Sequence, residues 1–298
     1  MSSFNTWEPR EHAHQWIIYP ENMGTHLSID EVALSQGELY TIVTNKKANG
    51  KKGSLVAIVA GTKADQVIEH INKIDYKKRS SVKEITLDMA NSMKLISKRC
   101  FPRAIQVTDR FHVQKLALEA LQEIRIKYRW EAMDIENQSI LKAKSENKTY
   151  IPQLLPNGDS IKQLLARSRY LLYKSREKWT DNQKERARLV FELYPDIKRA
   201  YVLSQQLRAI YNNNKDKNIA MLKLAHWYRK VEESGFKNFN IVLNTITVNY
   251  QSILNYFDNR STNASAESFN AKIKAFRSQF RGVRKIDFFL FRLSNIFA

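Results

Sequence analysis

Strand character in this 298-residue chain is confined to roughly the first 120 residues, and that confinement limits the fold more than any other feature. The segments "THLSIDEVAL" (25–34), "ELYTIVTNKK" (38–47) and "GSLVAIVAG" (53–61) are rich in β-branched and aromatic residues and end in Gly, Asn or Lys turns. The Asn/Gly/Lys-rich "NKKANGKKG" between the second and third is a hairpin-type connection. Val67, Ile68, Ile71 and Ile74 then recur at helical spacing. A strand ("SVKEITLDMA"), a helix ("NSMKLISKRCF"), a short strand ("RAIQVTDRFHV") and a long helical pattern from Gln114 follow. A three-strand meander feeding alternating helices and strands predicts an α/β domain on a mixed sheet.

Beyond residue 120 strand signals nearly vanish. Three long segments between Gly158 and Ser234 show helical periodicity with Lys/Arg-laced outer faces, and Asp159 and Asp181 are expected N-caps. The stretch 238–260 is apolar at mostly helical intervals, although its Thr/Val content leaves a strand open. The last segment is helical and basic.

The chain carries 49 basic against 30 acidic residues, a formal net charge of +19. Such an excess points to a polyanionic partner, nucleic acid being the commonest, against the plainer alternative of a solvated basic surface. One cysteine, Cys100, excludes a disulfide framework and a multi-cysteine zinc site, and is expected to be a packing residue in a protein of the reducing cytoplasm. No run has the length needed to cross a bilayer, and the first 24 residues lack a signal-peptide core, so no membrane role is expected.

Against this basic background three acids stand out. Asp30 lies inside an apolar strand and Asp88 at the end of another, where side chains project into the crevice that α/β folds use for ligands. Two carboxylates on neighbouring strands repel, and a divalent cation is the usual compensation; hard oxygen donors without thiols suit Mg2+ or Mn2+. Glu267, at the front of the basic helix, is the candidate third ligand. Taken singly each acid has an ordinary explanation as a cap, a turn or half of an ion pair. Glu31 should point to the other face of its strand and be structural. Asn270 shares the helical face of Glu267, either supporting the site or capping and solvating.

The series "SIDE" (28–31), "TLDMANSM" (86–93), "FPRAIQVTDRFHVQKL" (101–116) and "NASAESFNAKIKAFRSQFRGVRKIDFF" (263–289) resembles the ISL-three family of bacterial insertion-sequence transposases. The resemblance covers roughly residues 25–120 and 255–298 and is weaker between them. It implies a DDE-class enzyme: a ribonuclease H-like mixed-sheet core with a large all-helical insertion, in which Asp30, Asp88 and Glu267 are the catalytic and metal-binding acids. It implies two divalent ions about 3.5–4 Å apart acting on DNA phosphodiesters, first cutting the transposon end and then joining its 3′-hydroxyl to target DNA. The expected layout is an N-terminal extension (1–24), the first part of the core (25–120), the helical insertion (121–254) and the final part of the core (255–298).

"DRFH" resembles the aspartate/cysteine-x-x-histidine signature of several transposase families, filled here by Asp109 and His112. Asp109 also follows a strand and competes with Asp88 as second acid. His112 has three roles open to it: positioning the site, touching DNA, or standing as a half-buried histidine at a helix start. Lys272, Lys274, Arg277, Arg281, Arg284 and Lys285 are expected to bind DNA phosphates. Trp130, Trp179, Trp227 and Tyr228 either stack on unpaired bases or belong to the helical core. The family's N-terminal zinc-binding and helix-turn-helix region has no counterpart here, so the expectation is a catalytic part acting with a separate end-recognition domain or chain, as a homo-oligomer on DNA. A related metal-dependent nuclease and a catalytically silent DNA-binding remnant are the alternatives.

Overall fold

A computed structural model describes residues 4–34, 37–280 and 285–298. The chain divides into two compact units, the first formed by Met1–His112 with Asn249–Ala298 and the second by Val113–Val248.

The first unit is built on a six-stranded sheet: β1 (Trp16–Ile18), β2 (His26–Ala33), β3 (Leu39–Asn45), β4 (Leu55–Ala60), β5 (Glu84–Leu87) and β6 (Ile105–Thr108). Their spatial order is β1-β4-β3-β2-β5-β6. The three strands of the expected meander pair antiparallel, and β5 and β6 add parallel to β2. The sheet is therefore mixed, as the pattern of strands and helices predicted. One strand was not expected: Trp16–Ile18, within the presumed N-terminal extension, pairs antiparallel with Val59–Ala57 at the sheet edge. Three residues are too few for a period-two pattern to show.

Alternation along β2 sorts its side chains between two cores. Leu27 and Ile29 pack with Val67, Ile71, Met93, Ile96 and Cys100 beneath α1 (Ala64–Ile71) and α3 (Asn91–Cys100), with α2 (Tyr76–Ser80) between them in sequence. Cys100 is thus the expected packing residue, and burial pushes its thiol up to about 12. Val32 faces the other way, with Ile17, Tyr40, Ile42, Phe269, Ile273 and the phenylalanines of the C-terminal helix. The chain's end supplies that second layer: α11 (Tyr250–Asn259), α12 (Ala264–Gln279) and α13 (Ile286–Phe297).

The second unit is helical throughout its regular structure. It comprises α4 (Arg110–Ser145) from Val113 onward, α5 (Ile161–Arg167), α6 (Arg169–Leu172), α7 (Asp181–Leu193), α8 (Pro195–Asn213), α9 (Lys217–Ser234) and α10 (Lys237–Val248). Trp179 and Trp227 are core residues, buried with their indole N–H groups donating to the carbonyls of Leu171 and Leu203 at 2.8 and 2.9 Å, whereas Trp130 is exposed. The expected caps Asp159 and Asp181 are displaced by one residue. Ser160 and Thr180 are the N-caps, each closing a reciprocal capping box with Gln163 and Gln183. Asp159 is instead fully buried, shared between Arg167 and Arg186. Among the described residues no helix is long and apolar enough to cross a membrane.

Candidate active site

The register of the parallel strands sets up the site. Ser28 pairs with Thr86 and Leu87 with Thr108. Extending each ladder brings Asp30 level with Asp88 and Asp88 level with Asp109. The three aspartates thus form one row, Asp30 inside β2 and Asp88 and Asp109 just past the carboxyl ends of β5 and β6, where neighbouring strands are about 4.8 Å apart. The row lies on the face of β2 that carries Val32, toward α12.

Each aspartate commits one oxygen locally. Oδ1 of Asp30 accepts the Glu31 N–H at 2.9 Å, Oδ1 of Asp88 the Ala90 N–H at 2.8 Å, and Oδ1 of Asp109 the Phe111 N–H at 3.4 Å. The last two are turns that start α3 and α4, the ordinary capping chemistry of aspartate. The second oxygens remain for the site. Oδ2 of Asp30 accepts from Asn270 Nδ2 at 2.7 Å, and Oδ2 of Asp109 stands 3.7 Å from His112 Nδ1, an electrostatic contact beyond hydrogen-bond reach.

The electrostatics show which groups share the space. Asp30 is pushed up to about 6, first by burial, with Asp88 and Glu267 adding to the rise while the Glu31 N–H and His112 oppose it. Glu267 is raised by burial and then by Asp109, with His112 opposing. Glu31, exposed on the other face as expected, is nevertheless raised by burial, then by Asp88 and Asp30. The structure therefore brings Asp30, Asp88, Asp109, His112, Glu267 and Asn270 into one electrostatic neighbourhood, and within it Glu267 feels Asp109 more than Asp30.

Cation binding is consistent with the donor chemistry. The donors are carboxylate oxygens, burial and then repulsion from Asp88 and Glu267 raise Asp30, and the amide Oδ1 of Asn270 is buried without a partner. Among the described residues, however, no three His, Cys, Asp or Glu side chains are gathered tightly enough to form a finished ion cage.

The basic residues behave unevenly. Lys274 and Lys285 are exposed, and Lys272 is exposed with its Nζ donating to the Gly50 carbonyl at 3.0 Å. Arg277 departs from the expectation of a phosphate contact. It is 4% exposed and forms a two-pronged pair with Glu38, at 3.1 and 2.8 Å, beneath the Phe289 ring. Arg277 follows Phe269 and Ile273 at intervals of four, so helical spacing already places it on the apolar stripe of α12. Arg281 and Arg284 lie outside the described residues.

Two site residues carried no sequence signal. Lys46, in the expected hairpin, is largely buried and lowered by that burial; its Nζ donates to Thr86 Oγ1 at 2.7 Å and to Ser261 Oγ, and lies 3.6 Å from Glu84. It ties β5 to the turn that leads into α12. Asn263, the N-cap residue of α12, is fully buried with both amide atoms unpartnered.

The profile of a family described as transposase, of the DDE ISL-three type, matches residues 27–293. The chain belongs to the ISL-three family of DDE transposases. These transposases cut DNA strands and join them, and the family generally uses divalent metal ions. No curated protein matches the sequence. Among solved structures, the Drosophila P element transposase strand transfer complex matches with a TM-score of 0.39 and 14% identity, over 92% of this chain and 77% of that one. That likeness is too distant to transfer a residue's role to this transposase.

Proposed function

We propose that Asp30, Asp88 and Glu267 are the three acids with which this transposase cleaves DNA and transfers the cut strand, carried on a ribonuclease H-like core. The strand order β4-β3-β2-β5-β6, three antiparallel and two parallel, supports that core, with β1 as an added edge. The observation that carries the site is the level row of aspartates across β2, β5 and β6, clasped by α12 through Asn270.

Asp30, Asp88 and Glu267 would hold Mg2+ or Mn2+, two ions in the full arrangement, which supply charge stabilisation to the attacking and leaving oxygens at phosphorus. Asp30, with its carboxyl near 6, is ionised at pH 7–8 and so able to act as a ligand. Asn270 and the Glu31 N–H fix its orientation, which keeps both lone-pair directions from wandering. His112 stands beside these acids, its Nδ1 3.7 Å from Asp109 Oδ2, placed to help position them. Lys272, Lys274 and Lys285 present cations to DNA phosphates. Water attacks first, and the freed 3′-hydroxyl then attacks target DNA, with no covalent protein intermediate.

A second reading follows from the strength with which Glu267 senses Asp109: Asp109 in place of Asp88 as second acid. Magnesium-dependent nicking of supercoiled DNA separates the two. Asp88→Asn is expected to lower nicking about 1,000-fold, and Asp109→Asn, acting through His112, about 10–100-fold. The reverse order would make Asp109 the second acid. If both variants cut as well as the parent, the three-acid site is wrong. Joining of a precut 3′-end oligonucleotide to target DNA distinguishes a transposase from a plain nuclease.

A further inference from the structure

The helical second unit carries a group of arginines that the carboxylate site does not use. Arg125 and Arg129 stand one turn apart on α4, and Arg169 opens α6. Gln122 ties the two helices together: its Nε2 donates to the Arg169 carbonyl at 3.1 Å, and its Oε1 accepts from Arg125 Nε at 2.7 Å. Arg125 Nη1 also donates to the Leu165 carbonyl at 2.8 Å, so this guanidinium is fixed in place and 4% exposed. Burial and then the nearby charges of Arg129 and Arg169 lower its affinity for its proton.

Like charges one turn apart on a helix repel, and several other arginines of this unit are neutralised. Arg167 and Arg186 share Asp159, Arg188 lies between Glu185 and Glu192, and Arg229 pairs with Glu233. Among the described residues no carboxylate forms an ion pair with Arg125, Arg129 or Arg169. Arg129 Nε is buried with no hydrogen-bond acceptor at all. A fixed donor, an orphaned donor and an uncompensated triple charge describe a site missing its anion. Exposed aromatic rings adjoin it in sequence on both helices, Trp130 at 59% and Tyr170 at 68%, with the Arg169 guanidinium over the Tyr170 ring at 5.5 Å.

We propose that Arg129 and Arg169, beside the buried charge of Arg125, bind phosphates of the DNA backbone, as a contact site in the helical unit additional to the lysines of α12. Guanidinium forks match phosphate oxygens two at a time, and rings beside them suit the bases that accompany a backbone phosphate but not a free ion. The proposal rests on DNA being the substrate.

The test uses the full chain and a fluorescently labelled duplex, with affinity measured by anisotropy between 50 and 200 mM salt. Each lost phosphate contact lowers the slope of log affinity against log salt by about 0.9, so Arg129→Gln with Arg169→Gln should lower it by about 1.8. Arg125 is left intact because it holds a core carbonyl, and an unchanged melting temperature shows that the variant is folded. An unchanged slope in a variant whose parent binds DNA overturns this site and leaves the proposed function standing. A parent without salt-dependent affinity for DNA removes the reading on which both rest. If the salt slope is unchanged while inorganic phosphate at matched ionic strength raises the melting temperature of the parent and not of the variant, the site belongs to a free phosphate ion and the DNA assignment fails.

Discussion

In a chelating buffer at pH 8, Asp30→Asn is expected to make the protein more stable, and with magnesium restored it is expected to abolish DNA cleavage. Asp30 is pushed up to about 6 in the folded state, against about 3.9 in an unfolded chain. The folded protein therefore binds more protons than the unfolded one between these values, and stability falls as pH rises through them. The cost is absent below about pH 4 and fully present above about pH 6, where it is on the order of 2–3 kcal/mol. An asparagine never ionises and so escapes it. The local hydrogen bonds survive the exchange, because Asn270 can turn its unpartnered Oδ1 toward the new amide while Oδ1 of residue 30 keeps the Glu31 N–H. Thermal unfolding of both proteins from pH 4.5 to 8 checks the sign: the asparagine variant should gain at the alkaline end and lose its advantage toward the acid end. A variant less stable than the parent at pH 8, or a difference independent of pH, would show that Asp30 is not a strained charge. Retention of nicking would remove it from the catalytic acids.

The second large effect concerns Arg277. Truncating one partner of a buried ion pair leaves the other uncompensated, and Arg277→Ala should cost about 3–5 kcal/mol. Glu38 would be left beside Tyr40, whose hydroxyl is already pushed up to about 12 by burial and by that same carboxylate. Replacing both partners, as Arg277→Met with Glu38→Gln, should recover most of the loss, since neither substitute leaves a charge behind. The same double variant separates structure from DNA contact. Urea unfolding reports the recovery, and the salt dependence of DNA affinity should match the parent because Arg277 is not a surface cation. A stable Arg277→Ala protein with a shallower salt slope would restore the phosphate contact that composition alone suggested.

These two residues also mark how far the sequence could be followed. Asp88 and Asp109 each follow a short β-branched run, at strand ends where a sheet of this kind presents side chains, and Asp30 is a lone charge inside an apolar strand. Their common row depended on the register of β2, β5 and β6, and each of those strands was visible as a local pattern. What escaped was set by contacts between distant segments. Lys46 sits in a stretch whose composition is that of a solvated turn, yet it is buried because Ser261, 215 residues later, comes to meet it. Asp159 looked like a helix cap because caps are local, but Ser160 takes that place and two arginines claim the carboxylate. Arg277 is different in kind: the spacing Phe269, Ile273, Arg277 already places it on the apolar stripe, although its charge is that of a surface residue.

The first unit is assembled from the two ends of the chain, with 136 residues of the second, Val113 to Val248, made in between. During translation at about 5–20 residues per second, the aspartate row, finished at Asp109, would wait roughly 9–34 seconds for the chain to reach the end of α12 at Gln279. Until then Asp30 lacks its clasp from Asn270, and the sheet face shared with Phe269 and Ile273 lacks its cover. A polypeptide released early by a stop codon or a stalled ribosome would carry the aspartates without the glutamate or the layer that holds them in place. The ordering makes the proposed cutting site a late product of synthesis, complete only once α12 has been made.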